Sequence, residues 1–305
     1  ISTRDWSSDV CSSDLVLIAA IIAVASAAVA QAPVNRNANG VGYYLLEVPN
    51  PAAMVIDGSD DDWGWFDPMF VITMDQFKSE QDAPLPDPAD MEITLKMAWS
   101  PEPENMWYFF AKVHDDTLDI ESTEVGNPWS DDCINFGLDP TDAGKAGGRE
   151  YYQPYVVKHT AFLTIPEIMI PSRWDGDPAP WRDFARAPYA EAAVATDPPE
   201  AAQFPIWTSD TGGDMFYEFR MGMWDWRSPE GPSTSIRTIL TAGMFMPLLV
   251  NFEDGDVGWR SDITLRSAEA TAAGYFAGTT LLGLEDYDSP TAVESTTWGR
   301  IKGSF

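Results

Sequence analysis

Met91-Glu-Ile-Thr-Leu-Lys-Met-Ala-Trp99 alternates without a break: Met91, Ile93, Leu95, Met97 and Trp99 share one phase, Glu92, Thr94 and Lys96 the other. A period of two is the spacing of a strand with one face in a core and one toward water. Pro101, Pro103 and Asn105 follow, a turn through which no helix continues. Trp107 to His114 (WYFFAKVH) resumes the pattern, with Trp107, Phe109, Ala111 and Val113 inward and Tyr108, Phe110, Lys112 and His114 opposite. The pair reads as a β-hairpin.

The same reading extends outward. Asp132 to Asp139 (DCINFGLD) places Ile134, Phe136 and Leu138 on one face, and Met215 to Met223 (MFYEFRMGM) alternates again. Gly243 to Val250 (GMFMPLLV) is an unbroken apolar run, which suits a strand buried on both faces. Pro247 within it points to a bulge or an edge. No long stretch repeats every 3.6 residues. The alanine-rich Asp183–Thr196 is broken by Pro188, which opens at most one short helix over Tyr189–Ala195. These patterns predict an all-β fold, a two-sheet antiparallel β-sandwich of immunoglobulin-like or jelly-roll type. From about 141 to 214 a long stretch rich in Pro and Trp interrupts the strand rhythm. One or two strands are expected in it around Tyr155–Ile165, and long excursions on a rigid scaffold are where function tends to sit.

The first residues carry a different message. Asp5 to Leu15 (DWSSDVCSSDL) reads as the translation of a sequencing-library adapter, so residues 1–15 are expected to be an artefactual leader and Cys11 not a native cysteine. Val16 to Val29 is apolar and uncharged, short of the roughly 20 residues a membrane span needs. It ends in Ala28-Val29-Ala30, small residues where a signal peptidase reads. Residues 16–30 are therefore expected to be a signal segment cleaved after Ala30, giving a secreted, extracellular or periplasmic protein with no membrane insertion afterwards. Residues 31–52 then form an N-terminal segment and 53–305 the sandwich.

Composition narrows the function. The net charge of −30, from 48 acidic against 18 basic residues, repels phosphate backbones and argues against nucleic-acid partners. Apart from Cys11 one cysteine remains, Cys133, so no internal disulfide is expected and the core must hold the fold. Two histidines, His114 and His159, with one cysteine make a zinc site of the usual kind a poor fit.

Several ordered motifs resemble family 9 carbohydrate-binding modules and their DOMON-like relatives. Val55 to Trp63 (VIDGSDDDW) is similar to the family's opening "IDG…D–W". Trp107 to Asp116 (WYFFAKVHDD) resembles its "LYVAVRVxDD" strand, and Trp129 to Asp139 (WSDDCINFGLD) its "W–x–D–D–x–V–E–I–x–L–D" strand. Phe216 to Met221 stands where the family has "YxxExxIPW", Leu249 to Asp256 resembles the late strand with its acidic turn, and Thr297 to Ile301 the closing strand. The resemblance implies a β-sandwich, non-catalytic sugar binding and, in some members, structural calcium.

Candidate residues follow from this chemistry. Sugars stack their C–H faces on aromatic rings and offer hydroxyls to polar groups. Trp174, Trp181 and Trp207, with Tyr152, Tyr155, Arg173 and Arg182, supply both types within the excursion and are the expected ligand residues; the bland alternative is that these rings fold back as a subsidiary core. Calcium prefers carboxylate oxygens, and Asp57, Asp60 and Asp62 in one turn and Asp254 and Asp256 in another are the candidate ligands. Neither turn has the spacing of an EF-hand. With 48 carboxylates a glycosidase-like pair arises by chance, and Cys133, which as a nucleophile would need a nearby base, falls by alternation on a strand one residue from a core position, so no catalytic residue is assigned. Two rival readings are a haem-binding electron-transfer domain using His114 with methionines such as Met91, Met97, Met221 or Met223, and a structural subunit of a surface assembly. The methionines' alternating positions suit core filling better.

Overall fold

The computed structural model describes residues 42–79, 84–119, 132–141, 155–157, 167–169, 181–197, 206–254, 263–265 and 277–287. All belong to one compact unit, Val34–Phe305. The strands are β1 (Tyr44–Glu47), β2 (Ile72–Thr73), β3 (Phe77–Ser79), β4 (Met91–Trp99), β5 (Trp107–Asp119), β6 (Cys133–Leu138), β7 (Tyr155–Val157), β8 (Glu167–Met169), β9 (Ala190–Asp197), β10 (Ile206–Met221), β11 (Trp224–Trp226), β12 (Ile236–Arg237), β13 (Phe245–Glu253), β14 (Ile263–Leu265) and β15 (Ala277–Leu282). Among the described residues, two single-turn helices, α1 (Trp181–Phe184) and α2 (Leu284–Tyr287), accompany them together with short 3₁₀ turns. Among the described residues no helix is long and apolar enough to cross a membrane.

The hairpin that anchors the reading is built as its pattern demands. β4 and β5 pair antiparallel with Trp99 opposite Trp107 and Met91 opposite Asp115, and all five inward residues of β4 are buried. The intervening turn is fixed by Asn105, at a φ of 51°. Its amide donates to the Thr238 carbonyl at 2.6 Å and accepts from the Leu240 backbone at 2.8 Å. Asparagine tolerates this left-handed backbone better than most side chains.

One continuous path runs β8-β7-β6-β13-β15-β1-β4-β5-β10-β9. It folds into two layers: β4, β5, β10 and β9 form one, and β7, β6, β13 and β15 the other. The ring of Phe136 on β6 lies 5.2 Å from Trp107, 4.8 Å from Phe109 and 4.8 Å from Phe219, bringing three rings of the first layer against the second. Each such aromatic pair adds about 0.5–1.5 kcal/mol beyond area burial. The fold is a β-sandwich, but not a purely antiparallel one. β1 pairs parallel to both β15 and β4 and stitches the layers along one side, so two edges are paired rather than exposed.

Two local expectations change. Ala190–Asp197 is a strand, β9, where a short helix over Tyr189–Ala195 was expected. Its inward residues Ala190, Ala192, Val194 and Thr196 pair with Met221, Phe219, Tyr217 and Met215 of β10. Small side chains there leave room for large neighbours, and that pairing overrides helical propensity. Pro247 lies in a central strand rather than at an edge or bulge; it pairs with Gly278 of β15 while pairing to β6 begins only at Leu248, so its missing N–H interrupts no bond on that side. Within the stretch from 141 to 214 the described residues supply β7, β8, β9 and the start of β10 to the main sheet.

Candidate functional site

Register defines what each face of the first layer presents. On the outer face, Lys96, Phe110, Glu218 and Ala193 form one row across β4, β5, β10 and β9. The next rows are Thr94, Lys112, Phe216 and Ala195, then Glu92, His114, Asp214 and Asp197. Much of this face is covered by the chain before β2: Leu46, Val48, Met54, Trp63, Phe66 and Phe70 pack with Tyr108 and Phe110 into a second apolar cluster.

Glu218 is the keystone of that cover. It is 0% exposed, and its Oε1 accepts from the Trp63 indole N–H at 2.9 Å. Its Oε2 accepts from the backbone N–H groups of Asp57 and Gly58 at 2.9 and 3.0 Å. Burial pushes its carboxyl up to about 7, against the three N–H donors that pull it down. Gly58 is required twice over: its φ is +83°, and an added Cβ would sit 3.0 Å from Cβ and N of Ala195.

The acidic turn expected to bind calcium is organised by internal partners. Asp57 Oδ1 accepts from Ser59 N–H, Asp62 Oδ2 accepts from Val55 N–H, and Asp60 pairs with Lys96 Nζ at 3.2 Å. Asp57, Asp60 and Asp62 do not converge on a common point. Among the described residues the group that does is Asp115, Asp132 and Asp254, with one oxygen from each within 4.8 Å of the others. Their exposures are 2%, 1% and 4%. Oxygens sharing a calcium ion at 2.3–2.6 Å lie at most about 5 Å apart, so the donor set fits such a hard cation. Asp254 was among the sequence candidates, its partners there were not, and Asp256 lies outside the described residues. The missed signal was phase: each of the three continues the inward phase of its strand, after Val113, before Ile134 and after Phe252. A carboxylate at an inward position is the observation to notice.

Nearer the bulge of β10 between Thr208 and Gly213, Asp214 accepts from Lys112 Nζ at 2.6 Å and meets His114 Nδ1 at 2.9 Å. Burial works against its charge, but Lys112 and His114 outweigh that and hold its carboxyl below the ordinary carboxylate value. His114 lies on the outer face, whereas Met91, Met97 and Met221 are buried on the inner one. These residues do not form a His–Met axial pair.

The second layer carries a different kind of outer face. Asn135, Asn251 and Thr264 align across β6, β13 and β14, and Tyr155 of β7 takes the register position beside Asn135. The Asn251 amide donates to Glu253 at 2.9 Å and its carbonyl accepts from Thr264 Oγ1 at 2.6 Å. Asn135 also donates to Glu253, at 3.4 Å. All four are buried, which makes this a layer of amide, hydroxyl and carboxylate rather than apolar filler.

The sequence-predicted ligand residues divide. Trp174, Tyr152 and Arg173 lie outside the described residues. Trp181 and Arg182 open α1, whose Phe184 packs on Trp224 with ring centroids 5.0 Å apart. That is the Met221 end of β10, since Ala190 pairs with Met221. Trp207 begins β10 at the opposite end, paired with Leu118 beyond Asp115. Register therefore separates α1 from Trp207 by most of the length of β10, whereas Tyr155 lies toward the Trp207 end with Cys133 and Asp132. Cys133 itself is buried.

No protein-family model matches the chain, and no curated protein is significantly similar to it. Among solved structures, the chain is similar to a family 9 carbohydrate-binding module from Caldicellulosiruptor kristjanssonii in complex with glucose, at 14% identity and a TM-score of 0.45, covering 79% of this chain and 96% of that one. The same module in complex with cellotriose gives 14% identity and a TM-score of 0.46, covering 79% and 93%.

Proposed function

We propose that this chain is an exported, non-catalytic carbohydrate-binding β-sandwich. The observation that carries the reading is the polar outer layer formed by Asn135, Asn251, Glu253 and Thr264 on adjacent strands. These groups are buried and bonded to one another, so they serve the reading as a rigid polar support beneath a binding surface rather than as direct sugar contacts. The excursion that leaves β6 brings Tyr155 to the neighbouring register position, and Trp207 belongs to the same end of the sandwich. A second support is the way the resembling motifs meet in space. Residues of the first and fourth converge at Trp63 and Glu218, and those of the second, third and fifth at Asp115, Asp132 and Asp254. A divalent cation such as calcium held by that trio belongs to the same reading. It would neutralise three buried carboxylates and tie β5 to β6 and β13, a structural role.

The test is retention of the purified chain on a panel of insoluble polysaccharides. Retention on at least one, reversed by its free oligosaccharide, is the expected result. Passage through every matrix would reject the proposal, and a haem absorption band in protein expressed with haem supply would favour the electron-transfer alternative.

A further inference from the structure

Charge on this chain is one-sided, and the fold spreads it over the surface. The net charge is −30. Among the described residues eleven exposed side chains are acidic and three are basic, so the surplus faces solvent. It is not gathered in one place. Asp61 stands on the covering turn, Glu92 on β4, Asp197 at the end of β9, Glu230 between β11 and β12, and Glu285 on α2. The bases are committed locally. Lys96 pairs with Asp60, Lys112 with Asp214 and Arg220 with Glu191, while Arg237 donates to the Asn105 carbonyl and lies over the Trp224 ring. Each ion pair cancels one carboxylate and leaves the excess where it was.

Distance decides what that excess does. A chain of this length has a radius of gyration of about 19 Å folded and about 60 Å unfolded. Folding therefore crowds the same negative charges, and a net charge far from zero destabilises the compact state. The Debye length is about 30 Å at 0.01 M salt and about 3 Å at 1 M. In dilute salt each surface carboxylate repels others across the whole molecule; in concentrated salt it feels those beside it alone. Cys133 is free, so no disulfide offsets the repulsion among the described residues.

We propose that the fold is built for salty surroundings, its stability depending on a diffuse layer of monovalent cations that screens the surface. The sign is opposite to that of a fold fastened by surface ion pairs. Pairs such as Lys96–Asp60 weaken as salt rises, but exposed pairs contribute little, and the unbalanced carboxylates outnumber them.

Thermal unfolding of the full chain at pH 8, with a chelator present to keep divalent cations out, tests this between about 0.01 and 1 M sodium chloride. The midpoint is expected to rise by several degrees and then level off. Glu92→Lys combined with Asp197→Lys, Glu230→Lys and Glu285→Lys removes eight of the thirty surplus negative charges. Self-repulsion scales with the square of the net charge, so the rise in that variant should shrink to about half. Its midpoint in dilute salt should exceed that of the native chain. A midpoint that stays level or falls with chloride, or that climbs as steeply in the variant, would overturn the proposal. So would a rise confined to sulfate at matched ionic strength, because exclusion from apolar surface produces that effect without screening. Should the variant not fold, the native chain in the two salts decides alone.

Discussion

Trp63 and Glu218, 155 residues apart in sequence, are joined by an indole N–H to carboxylate hydrogen bond of 2.9 Å inside the second apolar cluster. This bond fastens the covering turn to the middle of the first layer. A hydrogen bond to a charged group contributes about 1.5–3 kcal/mol, and a coupled pair shows it as non-additivity. A double-mutant cycle of Trp63→Phe and Glu218→Gln, read by urea unfolding at pH 8, should give a coupling energy of about 1–3 kcal/mol. Additive effects would mean that the bond holds nothing.

The turn also depends on the backbone of Gly58. Its φ of +83° and the 3.0 Å approach to Ala195 make Gly58→Ala unfavourable on two counts. A left-handed residue with a side chain costs on the order of 1–3 kcal/mol. Thermal unfolding should show a lowered midpoint for this variant, while Gly64→Ala, where an added Cβ meets nothing within 4 Å, should change little.

The core makes a stronger demand at Phe136, which touches rings from both β5 and β10. Phe136→Ala should destabilise the chain by about 3–5 kcal/mol, the range for a large buried ring replaced by alanine. Phe136→Leu should cost visibly less in the same denaturant series.

Asp115, Asp132 and Asp254 supply the cation prediction. A ligand that binds only the folded state adds about 2.7 kcal/mol at one hundred times its dissociation constant. Calcium returned to chelator-treated protein should raise the melting midpoint, and Asp254→Asn should abolish the rise. The triple Asp57→Asn, Asp60→Asn, Asp62→Asn variant should retain it, since those carboxylates have other partners.

How far the amino acids announce this architecture can be judged at particular positions. Alternation in Met91–Trp99 and Trp107–His114 is realised residue by residue, because one face of each strand meets an aromatic core. The parallel seam at β1 was not legible, since Tyr44–Glu47 is too short to carry a period and its partners lie far away in sequence. β9 was not legible because alanine favours a helix until the large residues of β10 stand beside it. The carboxylate trio was half legible: each Asp sits in an inward phase, but only the layering shows that the ends of β6 and β13 meet Asp115 of β5. Acidic residues crowded in one turn attracted notice instead, and local turn bonds account for them. The buried row of Asn135, Asn251 and Thr264 is spread across three strands and has no signature in any one of them.

Asn251 links that row to the proposed function. It donates to Glu253 and accepts from Thr264, so Asn251→Ala leaves two buried groups short of a partner, at about 1–3 kcal/mol. The variant should lose stability and polysaccharide retention together. By contrast Trp207→Ala should weaken retention while leaving the melting midpoint in place.

The most direct trial of the reading pairs two measurements on one sample. The purified chain is incubated with the polysaccharide that retains it, and both bound protein and newly released reducing ends are followed over time. Bound protein that elutes with free sugar, with reducing ends staying at the level of the buffer control, is the predicted outcome. Steady release of reducing ends, or no bound protein on any polysaccharide, would contradict it.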